Sequence, residues 1–494
     1  MRQFSPLVTL LFLLLWVKPH WGQTGNQSDV TAPNPLNIMP QPRDAQGAGA
    51  ISNGAGAVDR AAYAAQLQQS SNTGAIALME EYQAFEFCNF LEIERCGPVP
   101  TATEIVTTLN QSWQMTGQKS AFIYIVNLPT EIQILAVFPG ERGDPIDLEK
   151  SIVRLTVATQ SPQEIEQLVR QLRRDLTNVR HPQAFLRTAQ QLSAFLIEPL
   201  MPELEARQID HLLFSLDEGL RLLPMAVLHD GEQFLIERYG VSLIPSFGLV
   251  DIGYNDLSNT NLLAMGASEF QTQPNLDAVP LELAFISRLG WPSQVWQEEQ
   301  FTVANFIAAN RQQVFGMIHL ATHATFVPTS EGESYLQFSD RPLTLPELRQ
   351  IVRTLGWTEQ DRPSVELLIL SACQTAVGDR QSELGFAGLA VQLGVKAALA
   401  SLWQVSDVGT LALMSEYYQL LSENPNKPQA LRQAQLNLLQ GKVKLEGDGL
   451  ANPNRLILSN DQIIPLTEQL QAQGNLDLRH PSLWAGFQLV GDWH

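Results

Sequence analysis

The sequence predicts an α/β protein: a mostly parallel sheet flanked by helices on both faces. Two observations carry this expectation. Short, near-continuous apolar runs recur from residue 121 onward, and stretches with helical spacing separate most of them. A third observation locates the chemistry. Two of the runs end on a histidine and a cysteine fifty positions apart, in Gly316-Met-Ile-His-Leu-Ala-Thr-His323-Ala-Thr-Phe326 and Val365-Glu-Leu-Leu-Ile-Leu-Ser-Ala-Cys373-Gln-Thr375. In open parallel sheets, ligands bind beyond the carboxyl ends of strands, where both residues fall.

The chain begins outside that sheet. Met1-Arg-Gln, an apolar run over 7–17 and Lys18 read as a secretory signal, too short for a comfortable membrane span. Residues 20–25 lack a clean A-x-A cleavage site, so 1–23 are assigned to a signal peptide or an uncleaved anchor. Residues 24–60 are rich in Gln, Asn, Pro, Gly and Ala and form a flexible spacer. Their Gly-Ala pairs are no phosphate loop, because no strand precedes them and no Lys-Ser/Thr follows. Residues 61–100, with Cys88 and Cys96, form a short segment that reads as helical over 61–95. No repeat with a solenoid period is present.

Residues 101–494 form the main domain, divided into 101–205 and 206–494. Runs 121–126 and 132–138 flank Pro129-Thr130 and predict a hairpin. Helices are expected over 162–177 and 181–200, then strands over 211–216, 241–245 and 261–266. Further strands at 317–322, 365–371 and 397–403 alternate with helices at 281–289, 302–313, 345–355, 383–393, 409–421 and 428–440. Residues 442–479 read as an elaboration ahead of the final strand, with no assigned role.

The formal charge of −20 and the lack of any Lys/Arg-rich block argue against a nucleic-acid partner. The acidity favours solubility and attracts basic substrates at long range. Of three cysteines, Cys88 and Cys96 are close enough in sequence to close a small loop in an oxidising compartment, leaving Cys373 as the odd thiol.

A thiolate is a strong nucleophile and an imidazole its natural base, so His323 and Cys373 point to a cysteine peptidase. His319 shares a strand face with His323 and is expected to be a packed histidine bonded to backbone. Its four-residue spacing from His323 is not a zinc motif: H-E-x-x-H needs a Glu where Leu320 stands, and needs a helix. Ser371 lacks a G-x-S-x-G elbow. The acid pairs Glu203/Glu205 and Glu298/Glu299 occupy solvated positions and do not suggest a glycosidase. No metal or organic cofactor is needed.

Several ordered segments resemble one family, the CHAT-domain proteins, which are caspase- and separase-like cysteine peptidases. They are the run from Leu212 to Pro224 (LLFSLDEGLRLLP), His229-Asp-Gly-Glu232, Ile318-His-Leu-Ala-Thr-His-Ala324 and Leu370-Ser-Ala-Cys-Gln-Thr-Ala376. Gly385-Phe-Ala-Gly-Leu-Ala390, Ala400-Ser-Leu-Trp403 and the terminal run from His480 to Trp493 complete the set. The resemblance covers roughly 101–494 and implies a caspase-hemoglobinase-like fold with His323 as base and Cys373 as nucleophile. The fifty-residue spacing agrees with the caspase arrangement, although Q-A-C-[RQG]-G is absent. The backbone amides of Ala324 and Cys373 would form the oxyanion hole. Such peptidases often carry Gly after the base; the Ala324 methyl would narrow substrate approach.

Peptidases of this kind cleave after basic or acidic residues, and the motif does not settle which; Asp407 is the acid to test as a binder of a basic side chain, with a helix N-cap ahead of Gly409-Thr-Leu as its alternative role. The expected partner is a protein or peptide substrate, with membrane contact only through an uncleaved N-terminal segment and an unknown activator left open. The competing function is a catalytically weak CHAT protein acting as an interaction or signalling module. The helical repeats many relatives carry are missing here, which favours a self-contained enzyme. A surface adhesin is the weakest reading.

Overall fold

The computed structural model describes residues 60–90, 98–141, 143, 145–159, 161–178, 180–253, 256–326, 334–357, 365–371, 374–375, 384, 388–447, 453–474 and 476–494. The signal, nearly all of the spacer, Cys96 and Cys373 lie outside them. The strands are β1 (Ser120–Asn127), β2 (Glu131–Val137), β3 (Ile152–Ala158), β4 (His211–Leu216), β5 (Gly240–Leu243) and β6 (Leu262–Gly266). They continue with β7 (Ser293–Gln297), β8 (Met317–Ala321), β9 (Ala324–Phe326), β10 (Tyr335–Gln337), β11 (Pro342–Thr344) and β12 (Leu367–Leu370). The last are β13 (Gln374–Thr375), β14 (Ala397–Ser401), β15 (Lys444–Gly447), β16 (Pro453–Ile457), β17 (Ile463–Pro465) and β18 (Phe487–Gly491).

Eleven strands form one sheet in the order β3-β2-β1-β4-β5-β18-β14-β12-β8-β6-β7. The hairpin β1/β2 is antiparallel, as its turn predicts, and so are β2/β3 and β14/β18. The other neighbouring pairs of this sheet are parallel. Two parallel blocks of opposite direction therefore meet where β18 is inserted. Gly486, just before β18, makes that junction tight. A Cβ there would lie 2.8 Å from Ser401 Oγ and 2.9 Å from Trp403 Cε2.

Alternation along β1 and β2 explains why both faces are covered. Ala121, Ile123, Ile125, Ile134 and Ala136 share a core with Ile165, Val169 and Leu172 of helix Pro162–Leu176 and with Ala189 and Leu192 of helix Phe185–Leu196. Phe122, Tyr124, Val126, Leu135 and Val137 face the other way, onto Tyr63, Leu67, Ile76, Met79 and Tyr82. β3 and β7 have no counterpart among the strands expected from the sequence. Both are edge strands whose side chains are mostly half-exposed or exposed, so neither shows the near-continuous apolar run of an interior strand. The elaboration at 442–479 contains the separate sheet β15-β16-β17.

The N-terminal helical segment breaks into helices Arg60–Gln69 and Asn72–Phe90. It is anchored by charge as well as by apolar packing. Arg60 Nη1 donates to Asp217 Oδ1 at 3.0 Å, and Arg221 Nη2 donates to Gln83 Oε1 at 3.0 Å and also to Glu86. Glu80, fully buried, accepts from Tyr124 Oη at 2.8 Å, Ser246 Oγ at 2.7 Å and the Phe247 amide at 3.0 Å. Asp217 and Arg221 belong to the run 212–224; the structure uses them to hold these helices on the sheet.

His211 at the start of β4 is 3 % exposed, and burial pushes its pKa down to about 3. It stays neutral in the fold, while the unfolded chain takes up a proton near its ordinary value. The predicted cost is about 1.4 kcal/mol of stability for each pH unit below 6.5, until about pH 3. A His211→Gln variant should lose that share of the acid slope in urea unfolding between pH 4 and 6.5. An unchanged slope would refute the assignment.

Among the described residues no helix is long and apolar enough to cross a membrane. Among the same residues no group of three or more His, Cys, Asp or Glu side chains is placed to hold a metal ion.

Candidate active site

Four adjacent parallel strands, β14, β12, β8 and β6, release their carboxyl ends on one edge of the sheet. β6 runs into segment 268–278, β8 into His323, β12 into Ser371, and β14 into the turn that reaches Asp407. Gly266 ends β6 because no side chain fits there: a Cβ would sit 2.5 Å from the Ala321 carbonyl oxygen. That approach brings segment 268–278 directly over the end of β8.

Cys373 lies outside the described residues, but the chain on both sides of it is tied to the chain that carries His323. Before it, Leu370 of β12 pairs with Leu320 of β8. After it, Gln374 of β13 pairs with Thr325 of β9, again in parallel. Ala324, the proposed oxyanion donor, opens β9 in register with Leu336 of β10 and is 1 % exposed.

His323 is 9 % exposed. Its Nε2 lies 2.8 Å from the carbonyl oxygen of Pro274. A carbonyl only accepts, so Nε2 carries the hydrogen and the neutral ring keeps its lone pair on Nδ1. Phe270 packs edge-on against the imidazole, with centroids 4.8 Å apart. Burial holds the His323 pKa below its ordinary range, partly opposed by the Pro274 carbonyl. A base that is neutral near pH 7 is the result.

A narrow cleft beside His323 is lined by Leu276, Val279, Glu282, Ser371, Val405, Asp407, Thr410 and Phe487. Its walls are largely apolar, and two acids, Glu282 and Asp407, are among the residues that line it. Asp407 is not the N-cap of helix Asp407–Glu423; Ser406 is, accepting from the Gly409 amide at 3.2 Å. One residue further on, Asp407 instead turns to segment 268–278 and accepts from the Asp277 amide at 2.9 Å. Burial pushes its pKa up to about 6; the neighbouring Asp277 and Glu282 charges add to this, while amides of Asp277 and Ala278 oppose it.

His319 is fully buried, as expected of a packing residue, but its partners are side chains and not backbone. Its Nε2 lies 2.9 Å from Glu282 Oε1 and its Nδ1 3.1 Å from Tyr418 Oη. β8 is an interior strand whose backbone is committed to β6 and β12, so only side chains from flanking helices can reach the ring. Cys88 is 4 % exposed on helix Asn72–Phe90, away from this edge in sequence, and its proposed partner Cys96 lies outside the described residues.

Segment 268–278 and Glu282 carry no sequence signal that singles them out. Pro274 acts through a main-chain oxygen, which no residue type advertises. Glu282 lies in an apolar helical stretch, Val279–Ile286, and a lone acid there signals partnered burial without saying with what.

A family model of the CHAT domain matches residues 186–492. The chain belongs to the CHAT domain family. The matched part of this CHAT protein spans β4 to β18 and all the cleft residues named above, and leaves out β1–β3 and the N-terminal helices. No curated protein matches the sequence. Among solved structures, the chain is similar to separase in the Saccharomyces cerevisiae separase–securin complex, with a TM-score of 0.46 and 10 % identity over 86 % of this chain. It spans only 34 % of that separase chain. It is also similar to the complex of Porphyromonas gingivalis RgpB pro- and mature domains, with a TM-score of 0.36 and 10 % identity over 67 % of this chain and 76 % of that one. A third similar structure is the Arg-specific cysteine proteinase gingipain R, with a TM-score of 0.34 and 8 % identity over 67 % and 74 % of the two chains.

Proposed function

We propose that this CHAT protein is an exported cysteine endopeptidase in which His323 activates Cys373. The observation that carries the reading is the pair of parallel ladders, β8/β12 and β9/β13, that brackets position 373 against the chain bearing His323. His323 Nδ1 takes the Sγ proton, and the thiolate attacks the peptide carbonyl carbon. The amides of Ala324 and Cys373 receive the oxyanion. As the tetrahedral intermediate collapses, the C–N bond breaks and the imidazolium protonates the leaving amine. Water, deprotonated by His323, then hydrolyses the thioester and returns the proton to sulfur.

The cleft favours a long basic side chain at the cleaved residue. Leu276, Val279 and Val405 suit an aliphatic stem, and the Asp407 carboxylate suits a cationic head. Export rests on the N-terminal signal-like run, and a Cys88–Cys96 bridge would accompany it. Peptide mapping of protein from culture medium tests both: a bridge that includes Cys373 would contradict the proposed pairing and the free nucleophile.

The deciding experiment is cleavage of a peptide library by wild type and a Cys373→Ala control. Cuts after Lys or Arg, absent in the control, are expected. Products shared by both proteins would refute the peptidase reading and leave the interaction-module alternative.

pH dependence gives a finer prediction. The basic head needs Asp407 ionised, so KM for a basic peptide should fall as pH rises through about 6. Asp407→Asn should flatten that dependence and lower kcat/KM for basic peptides by about 10–100-fold. Steady-state kinetics from pH 5 to 8 reads both, and an unchanged KM profile in the variant would remove Asp407 from substrate binding.

A further inference from the structure

Segment 268–278 touches both ends of the proposed machinery. Its Pro274 carbonyl accepts from His323 Nε2 at 2.8 Å. Three residues on, its Asp277 amide donates to Asp407 Oδ2 at 2.9 Å. The segment is closed upon itself, with the Leu276 amide donating to the Ser268 carbonyl at 2.9 Å. At its start, the Ser268 amide and hydroxyl donate to Glu298 Oε1 at 3.0 and 2.7 Å. Just beyond its end, Glu282 meets His319, whose other ring nitrogen faces Tyr418 on the helix that begins with Asp407.

A loop fastened at its start, crossed by its own hydrogen bond and pinned behind has little freedom to shift one contact without the other. Resting on the peptidase reading, we infer that Asp407 is a positioning residue for His323: its carboxylate holds the segment, and the segment's Pro274 carbonyl holds the imidazole. The link between the two side chains is three residues of backbone and needs no further group. Without an acceptor at 407, the Asp277 amide would be left facing an apolar-walled cleft, and the segment would have to move to satisfy it.

The same link bears on selectivity. The charged groups acting on Asp407 are the acids Asp277 and Glu282. A cation entering the cleft offsets that repulsion and keeps Asp407 an ionised, strong acceptor. The substrate that fits the cleft thereby secures the base, so a basic side chain raises kcat as well as lowering KM.

The test uses the full chain and iodoacetamide, an uncharged probe that does not need the cleft. The rate of Cys373 alkylation is measured from pH 5 to 9 in wild type, Asp407→Asn, Asp407→Ala and His323→Ala. Asn keeps an acceptor oxygen but an uncharged, weaker one, so Asp407→Asn is expected to lose clearly less alkylation rate than Asp407→Ala while losing basic-peptide selectivity. Asp407→Ala is expected to fall about tenfold near neutral pH, its profile moving toward that of His323→Ala. An Ala profile matching wild type, or equal losses in Asn and Ala, would overturn the inference. Should the Ala variant fail to fold, Asp277→Pro removes the donor instead of the acceptor and must reproduce the tenfold loss. If wild type and His323→Ala label alike, the dyad itself fails and the inference with it. A slow His323→Ala beside an unimpaired Asp407→Ala defeats only the link through segment 268–278.

Discussion

Replacing His323 by alanine is expected to reduce peptide hydrolysis by about 10²–10⁴-fold, the usual contribution of a positioned general base. Cys373→Ala should abolish it. The alanine at 323 removes the only group among the described residues that combines a free imidazole lone pair with a place at the ends of both β8 and β12. Its ring is set by the Pro274 carbonyl at 2.8 Å and by Phe270, and its lowered pKa leaves it neutral and proton-accepting near pH 7. Without it the Cys373 thiol should return toward the ordinary value of about 8.5, and alkylation near pH 6.5 should slow by about 10–100-fold. Parallel measurement of hydrolysis and alkylation separates loss of base from loss of fold. A His323→Ala protein that hydrolyses peptides at the wild-type rate would end the dyad reading.

The largest expected effect on stability comes from Arg221, 1 % exposed and ion-paired with Glu86. Arg221→Met should cost about 3–5 kcal/mol, because it removes the cation buried against the Glu86 carboxylate. The double variant Glu86→Leu/Arg221→Met should recover much of that loss, since neither partner then remains charged and buried. Urea unfolding of the wild type, each single variant and the double variant provides the cycle. Equal midpoints for Arg221→Met and wild type would mean that the pair contributes no net stability. Beyond stability, the pair holds the end of helix Asn72–Phe90, where Phe87 packs with Leu384. The same ring closes on Gly388, where a Cβ would lie 3.0 Å from Phe87 Cδ1. The N-terminal helices, outside the family match, therefore buttress the chain at Leu384 and Gly388.

Much of the sheet was legible from apolar runs because its interior strands are buried on both faces and leave little room for polar residues. β4, β6, β8, β12 and β14 all announce themselves in this way. β3 and β7 do not: at an edge, one side of each strand meets water, and Arg154 or Gln294 is tolerated where an interior strand would demand Val or Leu. His323 was legible because a histidine at the end of an apolar strand is chemically conspicuous. The Pro274 oxygen that orients it was not, because every residue has that atom.

The Asp407 side chain shows the division most clearly. Its sequence neighbours offered a helix N-cap, and Ser406, one position earlier, takes that role in the fold. Which of two adjacent polar residues caps a helix depends on where the chain enters the first turn. Freed from the cap, the carboxylate reaches Asp277, 130 residues away in sequence.

The sequence by itself determined the α/β class, where along the chain the buried strands fall, and the two residue types suited to thiol chemistry. These follow from local composition and from spacing along the chain. Only the tertiary structure decided that segment 268–278 joins His323 to Asp407, that His319 answers to Glu282 and Tyr418, and that Asp217 and Arg221 fasten the N-terminal helices. Each of those is a hydrogen bond or ion pair between groups far apart in sequence, and its formation depends on which strands become neighbours. A side chain declares its chemistry in the sequence; its partner is chosen by the fold.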